Sequence, residues 1–177
     1  MNQNKVIVIA NSYYPAGKAN SINVFRMLAA FQNKDYKVSL IAKKSVLKSN
    51  KKIWKCVQTD YGDQIPVKIY LLWYPFLRFS EPLIALASIV FLIFRSRKTL
   101  VYTRVRYVAL ISSILHFQTI FESHNPPMNS FSKIIDRWLD KRNNCTIVLI
   151  SFGLESSYIE AGVVLNKPII ASDAGRN

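Results

Sequence analysis

The sequence predicts an α/β fold, a single Rossmann-like, doubly wound domain with a mainly parallel sheet. Three observations predict it. Runs of strand length, beginning with Val6-Ile7-Val8-Ile9, are β-branched without polar alternation, as strands covered on both faces require. Amphipathic or apolar segments of helical length separate these runs, the order of a βαβ repeat whose right-handed crossover lays helices on the sheet faces. No linker, internal repeat or low-complexity stretch divides the 177 residues, and a chain of that size hides roughly 70% of its unfolded surface in one core.

Lys5 to Ala10 is the expected first strand. Asn11 to Asn20 reads as a loop centred on Tyr13-Tyr14-Pro15-Ala16-Gly17-Lys18, with Asn20 or Ser21 placed to cap a helix. Ile22, Phe25, Leu28, Ala29 and Gln32 recur at helical spacing, and Phe31 widens the apolar side, which predicts an amphipathic helix over Ser21 to Asn33. Tyr36 to Ala42 is the next strand, and the lysine-rich Lys43 to Lys52 reads first as a solvated loop and second as a charged contact surface. Ile53 to Val57 and Val67 to Leu72 are two short strands about the turn residues Asp60-Tyr61-Gly62-Asp63. Trp73 to Phe79, aromatic and broken by Pro75, reads as a loop over the core or as an interfacial anchor beside a basic surface.

Leu83 to Phe94 is the most apolar stretch, interrupted only by Ser88 and followed by Arg95-Ser96-Arg97-Lys98. A spanning helix needs about 20 apolar residues, so this segment is expected as a buried helix, with a helix lying in a membrane interface as the alternative. Thr99 to Arg104 is a strand, and Val105 to Phe117 is helical in length, with His116 read as a helix-end or core histidine. Gln118 to Glu122 is a strand, and Pro127 to Asn144 a helix whose second half, Asp136 to Arg142, reads as basic and solvated. Cys145 to Ser151 is a strand, Gly153 to Ala161 a short helix and Lys167 to Asp173 a last strand.

Composition narrows the chemistry. Half of the residues are apolar, which excludes a disordered chain. Lys and Arg number 24 against 10 acidic residues, a formal net charge of +14, and such an excess favours acidic partners: phosphates, an anionic membrane face or nucleic acid. Cys56 and Cys145 stand apart, without the ligand spacing of a structural zinc site or a disulfide framework, so a reducing cytoplasm and no metal are expected. Behind the first apolar run there is no small-residue cleavage site, so no signal peptide is read. The first strand is followed by neither GxGxxG nor a P-loop, and no GxSxG elbow occurs.

What remains is a set of residues at strand ends. In Thr119-Ile120-Phe121-Glu122-Ser123-His124-Asn125-Pro126-Pro127 an apolar run meets two prolines, and the two-residue period of a strand sends Glu122 and His124 to one side. An imidazole beside a carboxylate there is an acid/base or hydroxyl-binding pair, or else a polar pair that caps the next helix. Gly17 and Lys18 follow the first strand, Arg104 a middle one and Ser151 a later one. Loops at the carboxyl ends of parallel strands share one crevice, so these residues can converge.

The order of these motifs resembles the N-terminal domain of family 4 (group 1) glycosyltransferases of GT-B architecture. Tyr14-Pro15-Ala16-Gly17-Lys18 before a helix, Leu100-Val101-Tyr102-Thr103-Arg104, Phe121-Glu122-Ser123-His124, and Val148-Leu149-Ile150-Ser151 with Leu154 and Gly162-Val163 carry the resemblance from Val6 to about Asp173. It implies an acceptor-binding domain over residues 1–173, with 174–177 opening the crossing into a C-terminal donor-binding domain that the 177 residues do not include. It also implies a retaining, metal-independent transfer from a nucleotide-sugar, a substrate rather than a cofactor, to a glycan or lipid-linked acceptor in polysaccharide or glycolipid assembly. By resemblance His124 lies beside the transferred sugar, hydrogen-bonding and placing it, with Glu122 next to it. Gly17 and Lys18 lie near the donor phosphates and acceptor, Lys18 standing where the family often has a second glycine, and Arg104 ends the tyrosine-arginine strand.

This half is expected to be inactive or very weak alone, either a truncated gene product or one that works with a separate C-terminal donor-binding partner, and to act in the cytoplasm, peripherally at the inner face of the plasma membrane. The rival expectation is a non-enzymatic α/β module for an acidic partner. A nucleic-acid binder is disfavoured, because no recognition motif or aromatic platform accompanies the charge.

Overall fold

The computed structural model describes residues 4–14, 19–44, 68–72 and 80–171. Along the chain it contains β1 (Lys5–Tyr14), α1 (Ala19–Gln32), β2 (Lys37–Lys44), β3 (Lys68–Leu72), α2 (Ser80–Ile93), β4 (Leu100–Thr103), α3 (Arg106–Ile114), β5 (Gln118–Ser123), α4 (Ser130–Asp140), β6 (Cys145–Leu149), α5 (Phe152–Glu160) and β7 (Ile169–Ile170). The strands form one sheet in the order β3-β2-β1-β4-β5-β6-β7, every neighbouring pair parallel. This is the expected doubly wound α/β domain. The winding reverses between β1 and β4, and open sheets of this kind place their ligands at the carboxyl edge of that switch point.

The two-residue period of the strands divides the core. Val6, Val8 and Ala10 of β1, with Tyr102 of β4, pack under Val24, Phe25 and Leu28 of α1. Ile7, Ile9, Ile41 and Val101 face the opposite way, against Ile84, Ala85 and Leu92 of α2 and Val108 of α3. A third cluster joins Phe121, Ile147 and Leu149 to Ile135 and Leu139 of α4 and to Leu154 and Tyr158 of α5. Each fully buried large aliphatic side chain contributes about 1.5–3 kcal/mol, so doubly covered strands need the continuous apolar runs seen in the sequence. No helix among the described residues is long and apolar enough to cross a membrane.

Several boundaries differ from the sequence reading. Strand β1 does not stop at Ala10; after an irregularity between Ile9 and Tyr13 it resumes pairing, Tyr13 with Lys43 and Tyr14 with Lys44. Helix α1 therefore begins at Ala19, so Asn20 and Ser21 lie inside it rather than capping it. Lys43 belongs to β2 and is only 2% exposed, not part of a solvated loop. Helix α4 begins after Asn129 rather than at Pro127, because the Asn129 side chain accepts the Ser132 N–H at 2.8 Å and Ser132 Oγ accepts the Asn129 N–H in return. The last strand is reduced to Ile169–Ile170. The strand expected over 53–57 and the aromatic segment 73–79 lie outside the described residues.

Three helices, α1 with Asp35 at φ 60°, α3 and α5, end alike with different residues. At the end of α5, Val163 N–H reaches the Tyr158 carbonyl and Gly162 N–H the Ile159 carbonyl, with Gly162 at φ +77°. At the end of α3, Phe117 N–H reaches Ser112 and His116 N–H reaches Ser113, but the left-handed position, φ 61°, is held by the exposed His116. The histidine is thus a helix-end residue. A side chain there costs about 1–2 kcal/mol against glycine, part of which the greater freedom of an unfolded glycine cancels. His116→Gly is expected to raise stability by roughly 0.5–1 kcal/mol in urea unfolding; a loss would show that the imidazole makes a compensating contact.

Candidate functional site

Parallel register builds the site. Tyr102 pairs with Ile120 across β4 and β5, so two residues further on Arg104 and Glu122 emerge side by side on the same face. Arg104 Nη2 stands 2.6 Å from Glu122 Oε1, and His124 Nε2 stands 2.5 Å from the same oxygen. The side chains of Arg104 and Glu122 are 12% and 9% exposed, that of His124 35%. The sequence pairs Glu122 with His124 and allows Arg104 to converge on them, and the structure brings the three together at the carboxyl ends of β4 and β5, next to the switch point.

The arrangement limits what each group can do. A carboxylate oxygen only accepts, so His124 Nε2 donates to Glu122, which leaves Nδ1 as the ring atom available to a ligand. A neutral ring there accepts a hydrogen bond from a hydroxyl, and a protonated ring donates one. Arg104 neutralises the carboxylate, so the cluster is not an anionic trap and does not repel a polar or phosphorylated ligand.

Beneath the loop that carries His124 runs a network that the sequence reading did not anticipate. Asp136, fully buried, accepts from Arg106 Nε at 2.6 Å and from the Tyr158 hydroxyl at 2.9 Å. Ser123 Oγ lies 2.7 Å from the Tyr158 hydroxyl and 3.0 Å from the Asn125 carbonyl, either of which takes its single proton. Arg106 Nη2 donates to the same carbonyl at 3.4 Å. Glu122 and His124 are therefore held on one face of the chain while Ser123 and the Asn125 carbonyl are held on the other. The backbone on either side of His124 is thereby anchored.

Burial pushes the Asp136 carboxyl up, and the Arg106 hydrogen bond and charge pull against it without cancelling the rise. Burial likewise disfavours the Arg106 cation, but the hydrogen bond and charge of Asp136 outweigh it and hold that group above its ordinary value. Burial and then the Asp136 charge push the Tyr158 hydroxyl up to about 12. The pair is ionic and the tyrosine is a neutral donor to it.

The other predicted residues take different places. Ser151, after β6, caps α5 by accepting the Leu154 N–H at 3.1 Å, and is exposed. Gly17 and Lys18 lie outside the described residues. Lys43, expected in a solvated loop, is a buried cation near the carboxyl end of β2; its two-residue spacing from Ile41 is the signal in the sequence. Beside the His124 loop an open cleft of about 450 Å³ is lined by Arg106, Tyr107, Asn125, Met128 and Asn129. Among the described residues no group of three or more His, Cys, Asp and Glu side chains comes together around a metal-sized space. No protein-family model matches the sequence, and no curated protein matches it.

Proposed function

We propose that this chain forms the acceptor-binding side of a retaining, metal-independent glycosyltransferase, which moves a sugar from a nucleotide-sugar to a glycan or lipid-linked acceptor at the cytoplasmic face of a membrane. The observation that supports it is the Arg104–Glu122–His124 cluster beside the switch point, with one imidazole nitrogen fixed by the carboxylate on a side chain that is 35% exposed. Sugars are recognised through hydroxyls that need oriented acceptors and donors, and a histidine in a set tautomer supplies one at little reorganisation. The adjoining cleft falls within the roughly 300–1,000 Å³ common for small-molecule sites and offers the Tyr107 ring, Asn125 and Asn129 to an acceptor sugar.

In this reading His124 places the transferred sugar, Glu122 and Arg104 hold His124, and Ser151 lies on the rim. The donor diphosphate is neutralised by a facing C-terminal domain, whether on further chain or on a partner. These 177 residues alone are accordingly expected to bind acceptor without turnover.

The reading is tested by titrating short oligosaccharides and polyprenyl-phosphate-linked sugars against the protein by NMR. At least one is expected to bind with millimolar or better affinity, and His124→Ala, at a partly exposed position, to weaken it about tenfold or more, ~1.4 kcal/mol, with little change in melting temperature. Absence of any glycan binding, or binding indifferent to His124, would overturn the reading. The net charge of +14 favours a second reading, a non-enzymatic module for an acidic partner. Nucleic acid retained on a filter and released steeply by salt, with no glycan bound, would select it.

A further inference from the structure

Helix α2 is apolar on every side, yet only part of it is covered. Ile84, Ala85, Ser88 and Leu92 are buried against the sheet and α3, whereas Leu86, Val90, Ile93 and Phe94 are 60%, 60%, 53% and 83% exposed. Those four positions follow the i, i+4, i+7, i+8 pattern of a single helical face. A helix hydrophobic all round is ordinarily enclosed or set in lipid, and 14 residues, about 21 Å of helix, are too few to span a bilayer. The exposed stripe is therefore an apolar face in want of an apolar partner.

Charge at the end of the stripe indicates which partner. Phe94 leads directly into Arg95, Arg97 and Lys98, all exposed, with the Arg97 guanidinium laid over the Phe117 ring at 4.6 Å. Arg95 shares with Lys5 and Lys37 the wall of a concavity of about 110 Å³, floored by Ser39, Tyr70 and Thr99, at the amino edge of the sheet. Lys5 and Lys37 stand opposite each other in register on β1 and β2, an arrangement that like charges oppose, and neither has an acidic partner among the described residues. The concavity has room for three or four waters, at about 30 Å³ each, which suits one compact anionic group.

We propose that the outer face of α2 and the basic amino edge beside it form a docking surface for an anionic lipid bilayer. Leu86, Val90, Ile93 and Phe94 enter the acyl boundary while Lys5, Lys37, Arg95 and Lys98 meet lipid phosphates, the combination of apolar burial and cationic attraction by which interfacial helices bind. Nucleic acid would satisfy the cations and leave the stripe wet; a bilayer satisfies both. The surface gives the membrane partner of the reading above an address in the fold. It lies at the edge opposite to His124 and does not depend on sugar transfer.

Flotation of the whole protein with vesicles tests it. Co-flotation is expected with phosphatidylcholine vesicles containing phosphatidylglycerol and not with phosphatidylcholine alone. Val90→Asp combined with Phe94→Asp, both at exposed positions, is expected to lower partitioning about tenfold or more at any salt. Lys5→Glu combined with Arg95→Glu should lower it comparably at low salt and progressively less as salt screens the charges. Unchanged partitioning of both variants overturns the proposal. So does a dimer that the α2 variant dissociates in a protein that ignores vesicles, which would assign the stripe to a second copy. So does nucleic-acid binding abolished by the charge reversal without vesicle binding. His124→Ala floats like the unaltered protein, so loss of the sugar reading and loss of this one are told apart.

Discussion

Asp136→Ala is expected to remove about 3–5 kcal/mol of folding stability, a large share of the roughly 5–15 kcal/mol that holds a domain of this kind together. The substitution deletes a carboxylate with no exposed surface and leaves the part-buried Arg106 guanidinium, 18% exposed, without its counter-ion. It also strips the Tyr158 hydroxyl of its acceptor. The melting temperature should fall by roughly 6–20 °C at about 2–4 °C per kcal/mol for a chain of this length. Asp136→Asn should cost less, because it keeps the volume and one acceptor while still removing the charge. Replacing Arg106 as well, as Arg106→Met with Asp136→Ala, should recover part of the loss, since an unpaired buried cation costs more than a missing pair. Single losses that simply add in the double variant would mean that the two groups do not act as a unit. A second readout separates local from global effects: in Asp136→Asn the Asn125 carbonyl loses a rigid Arg106, so the His124 resonances should broaden or shift even where the domain remains folded.

That network was hidden by its neighbourhood in the sequence. Asp136 opens the run Asp136-Arg137-Trp138-Leu139-Asp140-Lys141-Arg142, whose composition reads as a solvated helix face. Its spacing says otherwise: Ser132, Ile135, Asp136 and Leu139 are the buried positions of α4, and an acid one step from Ile135 and three from Leu139 falls on the inner stripe. Charge count outweighed period in that reading, and the period carried the information. The pairing of Glu122 with His124 was legible for the opposite reason, because both continue the two-residue alternation of an apolar strand past its last apolar member, Ile120. Doubly covered strands gave the sheet and its single domain away, since nothing else requires such continuous β-branched runs. The end of β1 did not show itself, because pairing resumes after an irregularity that no residue type between Ala10 and Ser12 announces. The exposed half of α2 was equally silent. A stretch apolar on all sides has no period from which to tell a buried face from an open one.

The same buried tyrosine makes stability fall in alkali, and the sign follows from which state loses its proton first. Tyr158 ionises near 10 when unfolded and is pushed up to about 12 when folded, by burial and by the Asp136 charge. Between those values the folded chain carries the extra proton, so stability declines as pH rises, by at most about 1.4 kcal/mol per unit and roughly 2–3 kcal/mol across the window. Below the window the contribution is constant. Cys145, a free thiol that burial drives up from 9.0 to about 12, adds a decline of the same sign beginning one unit lower. Tyr158→Phe removes the hydroxyl that Asp136 and Ser123 use and should cost about 1–2 kcal/mol at neutral pH. It should also remove the alkaline decline of that group, so the stability curves of the two proteins converge and cross near pH ~11. Cys145→Ala, by contrast, should flatten the curve from about pH 9 upward and leave the tyrosine step in place. Urea midpoints measured across this range decide it, and parallel curves for Tyr158→Phe and the unaltered protein would show that the hydroxyl is not held neutral by the folded core.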